Sequence, residues 1–122
     1  MITNDFLNNV AKAIAGESFN TIEYFSVGET AMTIAPSTTV LTDEVGTRIV
    51  ASPSRTTNVI EFTGTRSGTD VVDTVDGDII ATFGTNLASG GSDLQSGVSV
   101  AGVTHTTAFD IDFIVTVTVN RS

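Results

Sequence analysis

The spacing of apolar positions changes once along the chain, and the change separates a short helical opening from a long sheet-forming remainder. Near the start Phe6, Leu7, Val10, Ala11 and Ile14 recur at intervals that place them on one side of a helix. Thr3 or Asn4 can cap its first turn, Asp5 and Lys12 suit its two ends, and Gly16 supplies a stop. The pattern predicts an amphipathic helix over residues 4 to 15, with its stripe buried against the sheet that follows.

From Thr21 onward β-branched residues, aromatics and threonines are broken by Gly, Pro, Asn and Asp, the texture of short strands joined by turns. TIEYFSV at 21 to 27 alternates, and AMTIA at 31 to 35 is its candidate partner, closed by Pro36. TRIVA at 47 to 51 and NVIEFTGT at 58 to 65 are further strands, separated by a loop that contains Pro53. VVDTV and DIIATF flank Asp76-Gly77, which suits the positive φ angles of a type I′ turn and predicts a hairpin of strands 71 to 75 and 78 to 84. The Gly-rich stretch 85 to 96 reads as a mobile surface loop, followed by a strand at 97 to 103. The clearest strand is the last, where Ile111, Phe113, Val115, Val117 and Val119 share one face and Asp112, Ile114, Thr116 and Thr118 the other.

These elements predict one mainly β domain over residues 1 to 122, an antiparallel β-sandwich or barrel of roughly eight strands, from about 21 to 120, behind one N-terminal amphipathic helix. The segments resemble, in order, small virion structural proteins of tailed phages and tailed haloarchaeal viruses. The resemblance is carried by the opening MITNDFLNNVAKAIAGES, YFSVGET, TTVLTDEVGTRI, NVIEFTGT, IIATFG, SGVSVAGVT and FIVTVTVNR, which together span nearly the whole chain. It implies a β-sandwich on the virion surface, as a capsid decoration or turret or as a tail or baseplate fibre-attachment component, and brings no catalytic residues with it.

Charge narrows the partners. Five Lys and Arg against 14 Asp and Glu leave a net charge of -9, which repels nucleic-acid phosphates and anionic membrane surfaces. The expected partners are therefore other copies of the chain and other virion proteins, with no nucleic acid and no membrane. No stretch approaches the roughly 20 apolar residues of a membrane span. The opening residues lack the charged and apolar regions of a secretion signal, so synthesis in the host cytoplasm and residence in the virion are expected. Lys12 is the sole lysine, and a surface covered by carboxylates and hydroxyls points to a protein built for high salt.

Candidate chemistry is sparse. There is no cysteine, and the one imidazole, His105, sits among threonines with no G-x-S-x-G elbow anywhere. It reads as a partly exposed strand histidine whose truncation to alanine leaves assembly nearly intact. Asp70, Asp73, Asp76 and Asp78 could offer oxygen ligands to Ca²⁺ but lack EF-hand spacing, and read as residues that keep a hairpin tip solvated. The glycines at 64 and 68 match no phosphate-binding pattern. No catalytic, cofactor-binding or metal-binding residue is assigned and no enzymatic activity is expected. The alternative role is a receptor- or glycan-binding module of a tail fibre, using the loop at 85 to 96.

Concentrated salt contracts the Debye length to about 3 Å at 1 M and screens the repulsion among 14 carboxylates. The melting temperature should therefore rise between about 0.1 M and about 3 M KCl; a higher value in dilute buffer would contradict the high-salt reading.

Overall fold

The computed structural model describes residues 1 to 121 and arranges them as one helix and two antiparallel sheets facing each other across a shared core. In chain order the elements are α1 (Asn4–Ile14), β1 (Tyr24–Gly28), β2 (Ile49–Val50), β3 (Ser52–Thr56), β4 (Val59–Arg66), β5 (Asp78–Asn86), β6 (Leu94–His105) and β7 (Ile111–Thr118), with a single 3-10 turn at Gly68–Asp70. The four-stranded sheet runs β2-β1-β5-β6 and the three-stranded sheet β3-β4-β7. The fold is a mainly β, sandwich-like domain behind an N-terminal helix, with seven strands among the described residues rather than roughly eight.

The core forms where the period-2 faces of the two sheets meet. Phe25 and Val27 of β1, Ile49 of β2 and Ile80 of β5 pack against Phe62 of β4 and Phe113 of β7. The Phe113 ring lies 5.9 Å from Phe25 and 5.4 Å from Phe83, at the offset distances that aromatic quadrupoles favour. Gly64 of β4 permits that approach. A Cβ there would come within 2.9 Å of the Phe25 ring and 2.6 Å of the Val50 carbonyl oxygen. The predicted alternation of β7 holds, except that Val119 stands exposed beyond the end of the ladder.

Several sequence expectations are corrected. Residues 52 to 56 are not a loop but β3, which follows β2 across the single residue Ala51, so a nearly unbroken stretch of chain leaves one sheet and enters the other. Pro53 is accommodated because β3 lies at the edge of its sheet, where a missing N–H breaks no second ladder. Residues 31 to 35 do not pair with β1; Ile34 instead joins Leu41 and Leu94 in a small second cluster. The hairpin predicted about Asp76-Gly77 does not form either. Of the two only Gly77 takes positive φ (86°), residues 71 to 75 form no strand and run into a turn at 74 to 76, and β5 pairs with β1 and β6. The strand predicted at 97 to 103 extends over Leu94–His105, and residues 85 and 86 belong to β5, which shortens the predicted loop to 87 to 93.

The helix forms as its pattern predicts, capped by Thr3, whose hydroxyl accepts the Phe6 N–H. It docks by the opposite side to the one expected. Asn9 is its buried residue and donates to Gln95 Oε1 at 3.3 Å, Gln95 in turn donates to Asp5, and the Thr3 hydroxyl donates to the Leu94 carbonyl at 2.6 Å. Of the apolar stripe only Phe6 reaches the core, while Leu7, Val10 and Ile14 stay exposed. The two sheets already fill each other's inner faces, so the helix joins the start of β6 through hydrogen bonds and leaves most of its apolar side uncovered.

Phe113→Ala should cost about 3–5 kcal/mol, a large part of the roughly 5–15 kcal/mol that holds a domain of this size. Equilibrium denaturant unfolding measures it, and parent-like stability would mean that the inward face of β7 contributes little to the core.

Candidate functional site

The chain's chemistry-bearing side chains gather in two places, and both are built around an arginine. At one end of the sandwich Arg66, the last residue of β4, reaches from the three-stranded sheet to Asp78 and His105, which face each other where β5 starts and β6 ends. Arg66 Nη2 donates to Asp78 Oδ2 at 2.7 Å and to the Asp70 carbonyl at 3.1 Å, and Nη1 donates to His105 Nδ1 at 2.6 Å. A guanidinium has no acceptor to offer, so His105 Nδ1 must be the acceptor. That assigns the ring proton to Nε2, which donates to the Phe109 carbonyl at 2.8 Å. His105 is therefore held as the neutral Nε2–H tautomer.

Burial decides what this cluster can do. The side chains of Arg66 and Asp78 have no exposed surface, and neither has His105. A substrate cannot reach any of the three, and no serine or threonine hydroxyl bonds to the imidazole. Burial alone would push the Asp78 carboxyl up, but the N–H groups of Asp73 and Val72 and the Arg66 guanidinium bond its charged form and hold it below the usual carboxylate range. Arg66 Nε is left without a partner, a local cost of enclosing the ion pair.

The second place is Arg48, which lies ahead of β2 and is also buried. Nε and Nη2 form a fork with the two Glu44 oxygens at 3.2 and 3.1 Å, while Nη1 reaches Asp93 at 2.7 Å. The remaining donors bond the carbonyls of Ala88 at 2.8 Å and Gly91 at 2.6 Å, so all five guanidinium N–H groups are used. Asp93 also accepts from Asn86 and from the Ala88 N–H. The Gly-rich loop expected to move freely is thus clasped at three points by one side chain.

The acidic run proposed as a solvated hairpin tip is redistributed. Asp78 is internal, Asp70 closes a capping box with Ser67 on the 3-10 turn, and Asp73 accepts the N–H groups of Val75 and Asp76. Among the described residues no three His, Asp or Glu side chains converge to hold a metal ion. His105 is likewise not a partly exposed strand residue. Replacing it with alanine removes the acceptor of a buried cation, so its loss is structural and far from silent. Arg66 and Arg48 were not singled out by the sequence. The available signal was their scarcity, because a chain with four arginines and one lysine has few cations with which to pair buried carboxylates.

A groove of about 230 Å³ opens between α1 and the lower part of the three-stranded sheet, lined by Phe6, Val10, Phe19, Ile60, Val117 and Val119 among others. It is apolar and holds no titratable side chain. No family model matches the chain, and neither a curated protein nor a solved structure matches it.

Asp78→Asn should destabilise the fold by about 3–5 kcal/mol by leaving Arg66 buried without its counter-charge. Because Asp78 titrates lower when folded than when unfolded, its contribution is complete above the unfolded carboxylate range and is lost as pH falls through the lowered folded value. Unfolding free energies measured between neutral and acid pH should fall less steeply for Asp78→Asn than for the parent; parallel slopes would show that the pair does not govern the acid limb.

Proposed function

We propose that this chain is a non-enzymatic structural protein of a tailed virus particle, assembling as a symmetric homo-oligomer on the virion surface as a capsid decoration or turret or as a tail or baseplate component. The observation that carries the reading is the distribution of apolar side chains. Among the described residues sixteen large hydrophobic side chains are exposed, whereas thirteen hydrophobic residues are buried. Scattered exposure is normal, but part of it is contiguous, with Phe6, Val10, Phe19, Val117 and Val119 lining one apolar groove, and contiguous apolar surface of this kind marks a face covered by a partner. The one imidazole and two of the four arginines are at the same time locked into architecture, Arg66 and His105 across the sheets and Arg48 within a loop clasp.

The resemblance of the segment order to small virion proteins supplies the setting. The high-salt reading rests on the surface that remains, because Arg48 and Arg66 are taken up by Glu44, Asp93 and Asp78 and only Lys12, Arg55 and Arg121 are left to offset the other carboxylates. A receptor- or glycan-binding module would draw on the loop at 87 to 93. That loop has no aromatic ring to stack on a sugar and is fixed by Arg48, so the assembly role is favoured.

Quantitative mass spectrometry of purified particles tests this reading. The chain should be present in every preparation, in hundreds of copies per particle if it decorates the capsid and in a few if it belongs to the tail. Its absence from intact particles that infect normally would remove the proposal.

A further inference from the structure

The four outer strands of the sandwich are not equally protected against pairing with another chain. Bare strand edges recruit further strands unless they are short, carry Pro or Lys or Arg, bulge, or are covered. β2 has two residues, β3 carries Pro53 and Arg55, and the first half of β6 is covered by residues 1 to 3 through Thr3 N–H to Gln95 and Gly97 N–H to Met1. The rest of β6 faces an irregular register beyond Thr82. β7 is the least protected of the four. It is eight residues long, regular in its pairing with β4, and carries a single charge, Asp112.

We propose that β7 is the docking edge for a second copy of this chain, the two β7 strands pairing antiparallel about a twofold axis to join the three-stranded sheets into one six-stranded sheet. The inference rests on the homo-oligomeric reading above and names its contact surface. Three observations favour a second copy at this edge. The first is area: a folded monomer of this mass exposes about 6,200 Å², whereas the chain exposes 6992 Å². The excess of roughly 800 Å², summed over the whole chain, is of the size that one partner contributes to a standard interface. The second is apolar surface at the edge, where Ile114 is 61% exposed and the seam toward the other sheet is lined by Met1, Ile2 and Val98, all exposed.

The third is charge. Two chains of net charge -9 can meet closely only where carboxylates are sparse. Parallel in-register pairing would set Asp112 against Asp112 of the partner copy. A twofold axis perpendicular to the sheet keeps the core-facing residues on one side, so it must pass through a residue, and the centre of the strand offers Ile114 or Val115. Asp112 then lies opposite Thr116 or Thr118 of the partner copy, both uncharged hydroxyl residues.

The chain has no cysteine, so single introduced thiols report the contact directly. The parent should sediment in concentrated salt at twice 12.7 kDa. Under mild oxidation with diamide either Ile114→Cys or Val115→Cys should form a disulfide-linked dimer, while Val75→Cys, exposed in the turn ahead of β5 and outside the β7 strand, should stay largely monomeric on denaturing gels. Ile114→Lys, at a position already exposed in the single chain, should keep the parent circular-dichroism spectrum and weaken self-association by about tenfold or more.

A parent that sediments at 12.7 kDa at every concentration overturns the pairing and leaves β7 to a strand of a different protein. A dimer in which neither β7 thiol cross-links overturns it as well. Either result is separable from the virion reading. A chain present in particles but lacking the β7 contact retains that reading, and a β7 dimer absent from particles retains only the contact.

Discussion

The ion pair between Arg66 and Asp78, closed by His105, is the constraint around which one end of the sandwich is organised. A guanidinium enclosed without solvent is tolerable only if a counter-charge and further acceptors are held around it. That requirement fixes the end of β4 against the start of β5 and the end of β6, so it sets where one sheet sits on the other. It also shapes the turns. The N–H groups of Val72 and Asp73 are turned toward Asp78, the Asp70 carbonyl toward Arg66, and the Phe109 carbonyl toward His105. Such pairs add little net stability relative to an apolar replacement, and their value lies in the arrangement they impose.

Arg48 applies the same chemistry to a loop. Its five donors bring Glu44, Ala88, Gly91 and Asp93 to one point, which ties the long β5–β6 connection to the segment ahead of β2. Two of the five basic residues are thus spent on internal order. Each takes its counter-charges with it, Asp78 for Arg66 and Glu44 and Asp93 for Arg48, so the surface keeps nearly the whole net negative charge, which restricts any self-contact to places where carboxylates are few.

The helix and β7 show what the filled core leaves uncovered. A sandwich whose inner faces fill each other has no apolar surface to spare for α1, which attaches instead through Asn9, Gln95 and Thr3. Its stripe then continues the apolar groove that runs to Val117 and Val119 beside the unprotected edge. Uncovered apolar surface and an open strand edge lie next to each other, an arrangement that a second chain can cover in one contact.

Local chemistry determined a good deal by itself. The helix at residues 4 to 14, the β4 segment and the alternation of Ile111 to Val117 follow from period, capping and β-branched content, because those preferences act over a few bonds and need no distant partner. What the tertiary structure decided was every question of pairing. Asp76-Gly77 looked like a hairpin, yet β5 has neighbours on both sides in β1 and β6 and no place for 71 to 75. Pro53 looked like a loop, yet an edge position makes it acceptable in β3. Asp78 and His105 were read as solvated or partly exposed, and Arg48 and Arg66 were not singled out, because nothing within a few positions of any of them announces burial. Their burial depends on partners 12 to 45 residues away, and separations of that length are set by how the sheets stack.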